Sequence, residues 1–183
     1  AIGDSSTATG LWATALGRNG RATAQQSLVV GNNSAALTNR AFTIGNNSIT
    51  DGMEAGFVIG NNSSSSGFNT FTVGSDNTAY GSNGFAIGMG NTTTGGMAMG
   101  WGSDAVNGSV AIGSNNHGTG TSCVALGYGV TASGSNSVAI GNSSTASGAD
   151  NLALGYQTIS AGNASTTMGY QSYASGFART EMG

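Results

Sequence analysis

The 183-residue sequence has no proline, and only 6% of its residues are charged. A typical soluble domain has about 25% charged residues. Its four basic residues, all arginine, do not form the basic surface that a nucleic-acid-binding protein needs, so we exclude nucleic acid as a partner. Disorder usually accompanies high net charge or abundant proline and lysine, whereas the net charge here is −3 and lysine is absent. The composition therefore favours an ordered chain.

No apolar run approaches the roughly 18 residues of a membrane-spanning helix, and no segment resembles a secretion signal. The chain opens within a structural repeat, from which we expect a processed protein or an excised segment. One cysteine, Cys123, excludes an intrachain disulfide. One histidine, His117, excludes a metal site with two histidines from one chain.

A glycine that follows an aliphatic residue or methionine recurs every 14 residues along the whole chain. We number each repeat from this glycine as position 0. The spacing is 15 between Gly45 and Gly60, with the additional residue at Met53 to Gly56. It is 12 and then 13 between Gly88 and Gly113, which is three residues fewer than two regular repeats. Thirteen repeats fill the sequence, which predicts a single domain over residues 1–183. The glycines are Gly3, Gly17, Gly31, Gly45, Gly60, Gly74, Gly88, Gly100, Gly113, Gly127, Gly141, Gly155, Gly169 and Gly183.

The residues around this glycine predict a strand. Positions −3 and −1 are apolar and position −2 is small, as in Val138-Ala139-Ile140, which is the period of two of a β-strand. Most repeats carry a second glycine at +7, so each coil is expected to consist of two short strands joined by two tight turns. The sequence thus predicts an all-β parallel solenoid of about thirteen coils.

The distribution of side-chain size predicts how the coils pack. Positions −2, +3 and +5 hold mainly alanine and serine, which fit the interior of a coil of only 14 residues. The larger residues at −3 and −1 do not fit there and are expected to project outwards as an apolar stripe. A soluble monomer rarely exposes such a stripe, so we expect copies of the chain to cover it with closed cyclic symmetry.

Segment 136–148, Asn-Ser-Val-Ala-Ile-Gly-Asn-Ser-Ser-Thr-Ala-Ser-Gly, resembles the head repeat of YadA-like trimeric autotransporter adhesins. Gly-Tyr-Gln at 155–157 and at 169–171 resembles variants of that repeat. The resemblance implies a left-handed β-roll, three chains around one axis, display on a bacterial surface and adhesion to host matrix proteins, glycans or other surfaces. The trimer core would then comprise Phe42, Ile44, Phe57, Ile59, Phe71, Val73, Phe85, Ile87, Val110, Ile112, Val124, Leu126, Val138, Ile140, Leu152 and Leu154.

The sequence also departs from that family pattern. Phenylalanine replaces valine at −3 from Phe42 to Phe85, and the family's neck, coiled-coil stalk and membrane anchor do not appear in this chain. Two alternatives to an adhesin head stay open, a receptor-binding segment of a viral or phage fibre and a structural spacer. The irregular coils between Gly88 and Gly113 are interpreted either as a packing adjustment or as a bend that presents a binding surface.

A ligand-binding surface is predicted at position +1. Equal positions of successive coils form a column, so an exposed aromatic ladder of three rings is expected among four residues, with two glutamines beside it at +2. Aromatic rings with amide neighbours suit contact with a sugar or a protein. The alternative is that the rings pack over the turn of the next coil. The residues are Trp101, Tyr128, Tyr156 and Tyr170, with Gln157 and Gln171.

A second column, at +1 and +2 of earlier coils, consists of asparagines and predicts a ladder of amide hydrogen bonds between turns. The alternative is N-glycosylation at N-x-S/T sequons. The ladder residues are Asn32, Asn33, Asn46, Asn47, Asn61 and Asn62, and further sequons begin at Asn91, Asn107, Asn142 and Asn163.

We expect no enzymatic activity, cofactor or metal. The acids nearest to His117 in sequence, Asp104 and Asp150, belong to other coils, so a Ser/His/Asp arrangement is not indicated. Cys123, at −4, is expected to be a small buried or half-buried residue rather than a reactive thiol.

Overall fold

The computed structural model describes residues 1–183 as an all-β parallel solenoid of about 13 turns without a helix. This confirms the fold class expected from the 14-residue period. No segment forms a helix long and apolar enough to cross a bilayer. The chain divides into two compact units, Ala1–Thr94 and Gly95–Gly183. Each unit contains one sheet of long strands and one sheet of short strands, and in both sheets each strand pairs in parallel with the equivalent strand of the next coil.

The long strands of the first unit start at position −3 and end at +1. They are β2 (Thr14–Arg18), β4 (Leu28–Asn32), β6 (Phe42–Asn46), β8 (Phe57–Asn61), β10 (Phe71–Ser75) and β12 (Phe85–Met89). The short strands begin at +4. They are β1 (Thr7–Ala8), β3 (Arg21–Ala22), β5 (Ala35–Ala36), β7 (Ile49–Thr50), β9 (Ser64–Ser65), β11 (Thr78–Tyr80) and β13 (Thr92–Thr94).

The second unit repeats the plan. Its long strands are β14 (Met97–Trp101), β16 (Val110–Ser114), β18 (Val124–Tyr128), β20 (Val138–Asn142), β22 (Leu152–Tyr156), β24 (Thr166–Tyr170) and β26 (Thr180–Met182). Its short strands are β15 (Asp104–Val106), β17 (His117–Gly118), β19 (Thr131–Ala132), β21 (Thr145–Ala146), β23 (Ile159–Ser160) and β25 (Tyr173–Ala174). The register joins equal repeat positions, as in Val138↔Leu152 and Gly141↔Gly155.

The interior of the coil contains the small residues, as predicted. Ala139 at −2 and Ala146 at +5 are fully buried, and so is Ser144 at +3. The hydroxyl of Ser144 donates to the carbonyl oxygen of Gly155, the position-0 glycine of the next coil, at 2.8 Å. Where asparagine replaces serine, the amide does the same, as Asn116 Nδ2 does to Gly127 O at 2.8 Å. The buried polar groups at +3 therefore join one coil to the next.

Changes in coil length all fall in the turn that leads from the short strand to the next long strand. The additional residue of the 15-residue coil lies near Met53, whose exposed fraction is 83%. The coils of 12 and 13 residues lose residues from the same turn, and their short strands β13 and β15 are three residues long instead of two. The long strands of both units keep all five residues through these irregular coils. Altered turns therefore leave the face that carries the large side chains unchanged.

Candidate functional site

The turn after each long strand fixes where its last side chains point. In the coil that starts at Gly141, this glycine has φ +130°, which glycine adopts far more readily than other residues. Ser143 at +2 has φ 54°, in the left-handed region that asparagine also tolerates. A Cβ at Gly141 would lie 1.9 Å from the carbonyl oxygen of Gly155, so only glycine fits position 0. Side chains at −3 and −1 lie before the position-0 glycine, whereas +1 is the last residue of the strand and +2 the first of the turn. Two separate surfaces result, an apolar stripe and a turn edge.

The apolar stripe comprises positions −3 and −1 of the long strands. None of the sixteen residues predicted for the trimer core belongs to the buried interior of the single chain. Fourteen are half-buried, while Ile112 and Leu154 have exposed fractions of 37% and 38%. The expectation that these side chains lie outside the coil is therefore confirmed, and each unit presents an apolar surface to solvent.

In the first unit the stripe includes a continuous stack of four phenylalanine rings. Phe42 and Phe57 have ring centroids 4.7 Å apart, and so do Phe57 and Phe71. Phe71 and Phe85 follow at 5.0 Å, and all three pairs are within 10° of parallel. In-register pairing of β6, β8, β10 and β12 places identical residues above one another, which is what allows the rings to stack.

The turn edge of the second unit carries the predicted aromatic residues, but not as one ladder of three. The register runs Trp101, Ser114, Tyr128, Asn142, Tyr156, Tyr170. Small polar residues thus separate the first three aromatic side chains. Only Tyr156 and Tyr170 stack, with centroids 5.1 Å apart. The four aromatic residues are 42% to 63% exposed.

The two predicted glutamines lie beside the stacked tyrosines. Gln157 and Gln171 are exposed at position +2, and Gln171 Nε2 donates to Gln157 Oε1 at 2.8 Å. Both residues have φ near 52°, so the glutamines occupy turn positions as well as forming an amide pair. The aromatic stack and the amide pair together form one surface at the last two full turns.

The turn edge of the first unit carries the predicted asparagine ladder. At +1, Asn32 Nδ2 donates to Asn46 Oδ1 at 3.0 Å, and Asn46 Nδ2 donates to Asn61 Oδ1 at 3.2 Å. At +2, Asn33 Nδ2 donates to Asn47 Oδ1 at 3.2 Å. The predicted hydrogen bonds between turns are therefore confirmed. Among the further sequons, Asn91 is fully buried, so its side chain is not available to an enzyme acting on the folded chain.

Sequence reasoning missed an exposed pair on the short-strand sheet. His117 Nδ1 lies 3.1 Å from Asp104 Oδ2, because both residues occupy +4 and β15 pairs with β17 in register. Asp104 does belong to another coil, but stacking makes that coil the neighbour. The pair could have been found by comparing equal repeat positions of successive coils rather than distances along the sequence. No group of three or more histidine, cysteine, aspartate or glutamate residues suited to a metal ion is present.

Cys123 is buried, with an exposed fraction of 1%, which confirms the structural interpretation. Its Sγ lies 3.0 Å from the carbonyl oxygen of Ala132 and 3.4 Å from that of Gly120. Burial raises the pKa of the Cys123 thiol above its ordinary value and outweighs the opposing hydrogen bonds. The thiol is therefore protonated at neutral pH and occupies the position that serine takes in other coils.

Comparison with known proteins agrees with this geometry. The family model of the YadA head domain repeat matches residues 1–19, 22–48 and 132–158. The coils between the matched segments have the same strand register and the same buried positions. No curated protein matches the chain.

Proposed function

We propose that this chain, whose matched repeats and 13-turn solenoid fit a YadA-like head domain, is a homotrimeric adhesin head that binds an extracellular surface without catalysing a reaction. The family is an adhesin-type structural family, which supports a role outside the cell. On this proposal the chain is displayed at a bacterial surface by segments other than residues 1–183, and the whole of 1–183 acts as one head domain.

The observation that carries the proposal is the apolar stripe. Each unit exposes a line of aliphatic or phenylalanine side chains that the coil interior has no room for. A continuous apolar stripe on the outside of a monomer is uncommon, and association of copies of the chain would cover it. Three copies around one axis would bury the stripe and leave the turn edges outside. Three copies of each turn edge would then bind a target multivalently, which raises avidity without a strong single site.

Light scattering of the purified chain tests the assembly. We expect a mass three times the 17.8 kDa of one chain. Substituting Ile140→Asp, at −1 of the stripe, should dissociate or unfold the trimer, because an uncompensated buried charge costs several kcal/mol, about 3–5. Ser143→Asp is the matched control, since Ser143 is exposed at +2 of the same coil. A stable monomer of the unaltered chain would overturn the trimer.

The binding surface we propose is the turn edge of the second unit. Trp101, Tyr128, Tyr156 and Tyr170 supply exposed aromatic surface, and Gln157 with Gln171 supplies amide groups. Replacing Tyr128, Tyr156 and Tyr170 together by serine should abolish adhesion to matrix proteins or cells while the trimer stays intact. Adhesion that survives this triple replacement in an intact trimer would favour a structural spacer over an adhesin.

A further inference from the structure

At the turn edge of the second unit, one coil with a short polar side chain leaves a gap between two aromatic rings. In the register of the long strands, Asn142 stands between Tyr128 and Tyr156. Two coil spacings therefore separate the tyrosine positions, which is about 10 Å at roughly 4.8 Å per coil. Neither ring stacks on the other, and the far face of Tyr156 is covered by Tyr170 at 5.1 Å. The other face of the Tyr156 ring is on the side of Asn142.

A flat six-membered ring placed midway in this gap would lie about 5 Å from each tyrosine, within the range of ring contacts, 4.5–7 Å. The floor of the gap is polar. Asn142 is exposed and its Oδ1 accepts from Ser143 Oγ at 2.9 Å, while its Nδ2 has no partner in the chain. In the asparagine ladder the equivalent Nδ2 of Asn46 donates to the next coil, but Tyr156 stands in that place here.

We propose that this gap, the Tyr128–Tyr156 slot, binds the terminal sugar of a neutral glycan. The inference rests on the proposed adhesive role of this edge and names the ligand class. A pyranose whose hydroxyl groups are equatorial, such as β-glucose, has two apolar C–H faces, which match the two tyrosine rings, and a rim of hydroxyl groups, which match the amide of Asn142.

The charge of the slot favours a neutral sugar over an acidic one. The +1 column of the second unit holds no ionisable group except tyrosine phenols. The arginine in this unit, Arg179, is paired with Glu181 and lies outside the column. An acidic sugar, a phosphate or a carboxylate would therefore enter without a counter-charge. An aromatic peptide side chain would fit between the rings but would cover the unpaired Asn142 amide without a hydrogen bond.

The stacking direction adds a constraint on the glycan. Tyr156 and Tyr170 are within 5° of parallel at about one coil spacing, so the ring planes lie across the solenoid rather than along it. A sugar ring inserted parallel to Tyr156 would direct its glycosidic bond away from the surface or across the edge. The slot therefore accommodates a terminal residue, and a residue in the middle of a linear chain along the coils would not enter it.

The experiment is a titration of the full chain with methyl glycosides of galactose, glucose and mannose, with methyl sialoside as the charged comparison, followed by NMR. Binding of at least one neutral glycoside, and not of the sialoside, is the expected result. Absence of binding to all three neutral glycosides would overturn the slot. So would competition by a phenylalanine peptide that binds more tightly than any of them.

Three variants locate the site. Asn142→Tyr should fill the gap, because the column would then stack without interruption, and should abolish glycoside binding while the chain folds normally. Tyr128→Ser removes one wall and should weaken binding roughly tenfold. It copies Ser114, which occupies the same position in the preceding coil. Tyr173→Ser is the control, since Tyr173 is an exposed tyrosine of the short strand β25 and lines no side of the gap, and should change binding less than about twofold.

Unchanged binding by the Asn142→Tyr variant would overturn the slot, as would equal losses in the Tyr128→Ser and Tyr173→Ser variants. The same proteins distinguish failure of the slot from failure of the adhesin. If the unaltered head adheres to a target surface and no glycoside binds, the adhesive function stands and the slot is wrong. If the head neither adheres nor binds a glycoside, the proposed function fails as well.

Discussion

The two units build the same coil from different side chains. In the first unit, positions −2 and +5 include threonine and serine. In the repeat of Gly45, the hydroxyls of Thr43 and Thr50 lie 2.8 Å apart. In the second unit the same positions are mainly alanine, as Ala139 and Ala146 are. The fold therefore requires small volume at these positions, and a hydroxyl is accepted wherever it finds a partner within the coil.

The outer surfaces of the two units differ in where their aromatic residues lie. The first unit has aromatic rings in the stripe and amides at the turn edge, with Phe57 and Asn46 as examples. The second unit has aliphatic residues in the stripe and aromatic rings at the turn edge, with Val124 and Tyr128 as examples. Because the strand register is common to both, the difference concerns which side chains each surface presents rather than how the backbone folds.

The largest effect is expected where the units do not differ, at the position-0 glycine. Gly141→Ala and Gly45→Ala should each destabilise the chain by at least about 3 kcal/mol, because both positions have positive φ and a new Cβ would overlap a carbonyl of the next coil. Denaturant unfolding measures the loss. Gly108→Ala is the control, since Gly108 also has positive φ but no atom lies within 4 Å of its added Cβ. Equal losses at all three would show that φ alone matters.

A smaller effect should separate the stripes of the two units. Phe57→Ala removes two stacked contacts and should cost about 2–3 kcal/mol, whereas Val124→Ala should cost about 1–2 kcal/mol. Both variants should be unfolded at one fixed protein concentration, because association contributes to apparent stability.

A double-mutant cycle between Phe57 and Phe71 sharpens this comparison. The stacked rings should show a coupling energy of about 0.5–1.5 kcal/mol, while Val124 and Val138 should show less. No difference between the two cycles would mean that the phenylalanine stack adds only buried area.

The repeat predicted most of the fold, because a period of 14 with apolar residues at −3 and −1 allows only one assignment of the inner and outer faces of the long strands. It assigned the stripe, the small interior and the asparagine ladder correctly. What it missed depends on the identity of neighbours between coils. His117 and Asp104 meet because they share position +4, and Ser114 and Asn142 interrupt the aromatic column because they share position +1. Reading the sequence down each repeat position, as well as along the chain, reveals both.

The sequence located one length change and left the other open. The additional residue predicted at Met53 to Gly56 lies between β7 and β8, in the turn before a long strand. Three residues are missing between Gly88 and Gly113, and the glycine spacing alone does not say which turn loses them. The structure takes them from the turn before the long strand, where chain can be lost without moving the stripe or the position-0 glycine. The long strand has five residues in contact with each neighbour, so shortening it would cost more hydrogen bonds.

A modest effect should distinguish the two turn edges. Asn46→Ala removes one amide that donates and accepts within the ladder, and should cost about 0.5–1 kcal/mol. Asn142→Ala is the matched control at the same repeat position, where no amide ladder exists, and should leave the free energy of unfolding unchanged within about 0.3 kcal/mol. Thermal or urea unfolding measures both. A loss at Asn142 equal to that at Asn46 would show that the ladder bonds add nothing.

The smallest effect concerns Cys123 and its serine counterparts. Because burial raises the pKa of the Cys123 thiol, the unfolded chain loses this proton at a lower pH than the folded chain does. The stabilisation that Cys123 gives to the folded chain is therefore complete at pH values below the ordinary thiol pKa. It decreases as pH rises from there towards the raised pKa of the folded state. Cys123→Ser should remove this alkaline decline and leave neutral stability little changed, since Ser109 and Ser137 occupy the same position in the adjacent coils. Urea unfolding of both proteins from neutral to alkaline pH measures the difference, and identical pH profiles would show that the buried thiol does not titrate with folding.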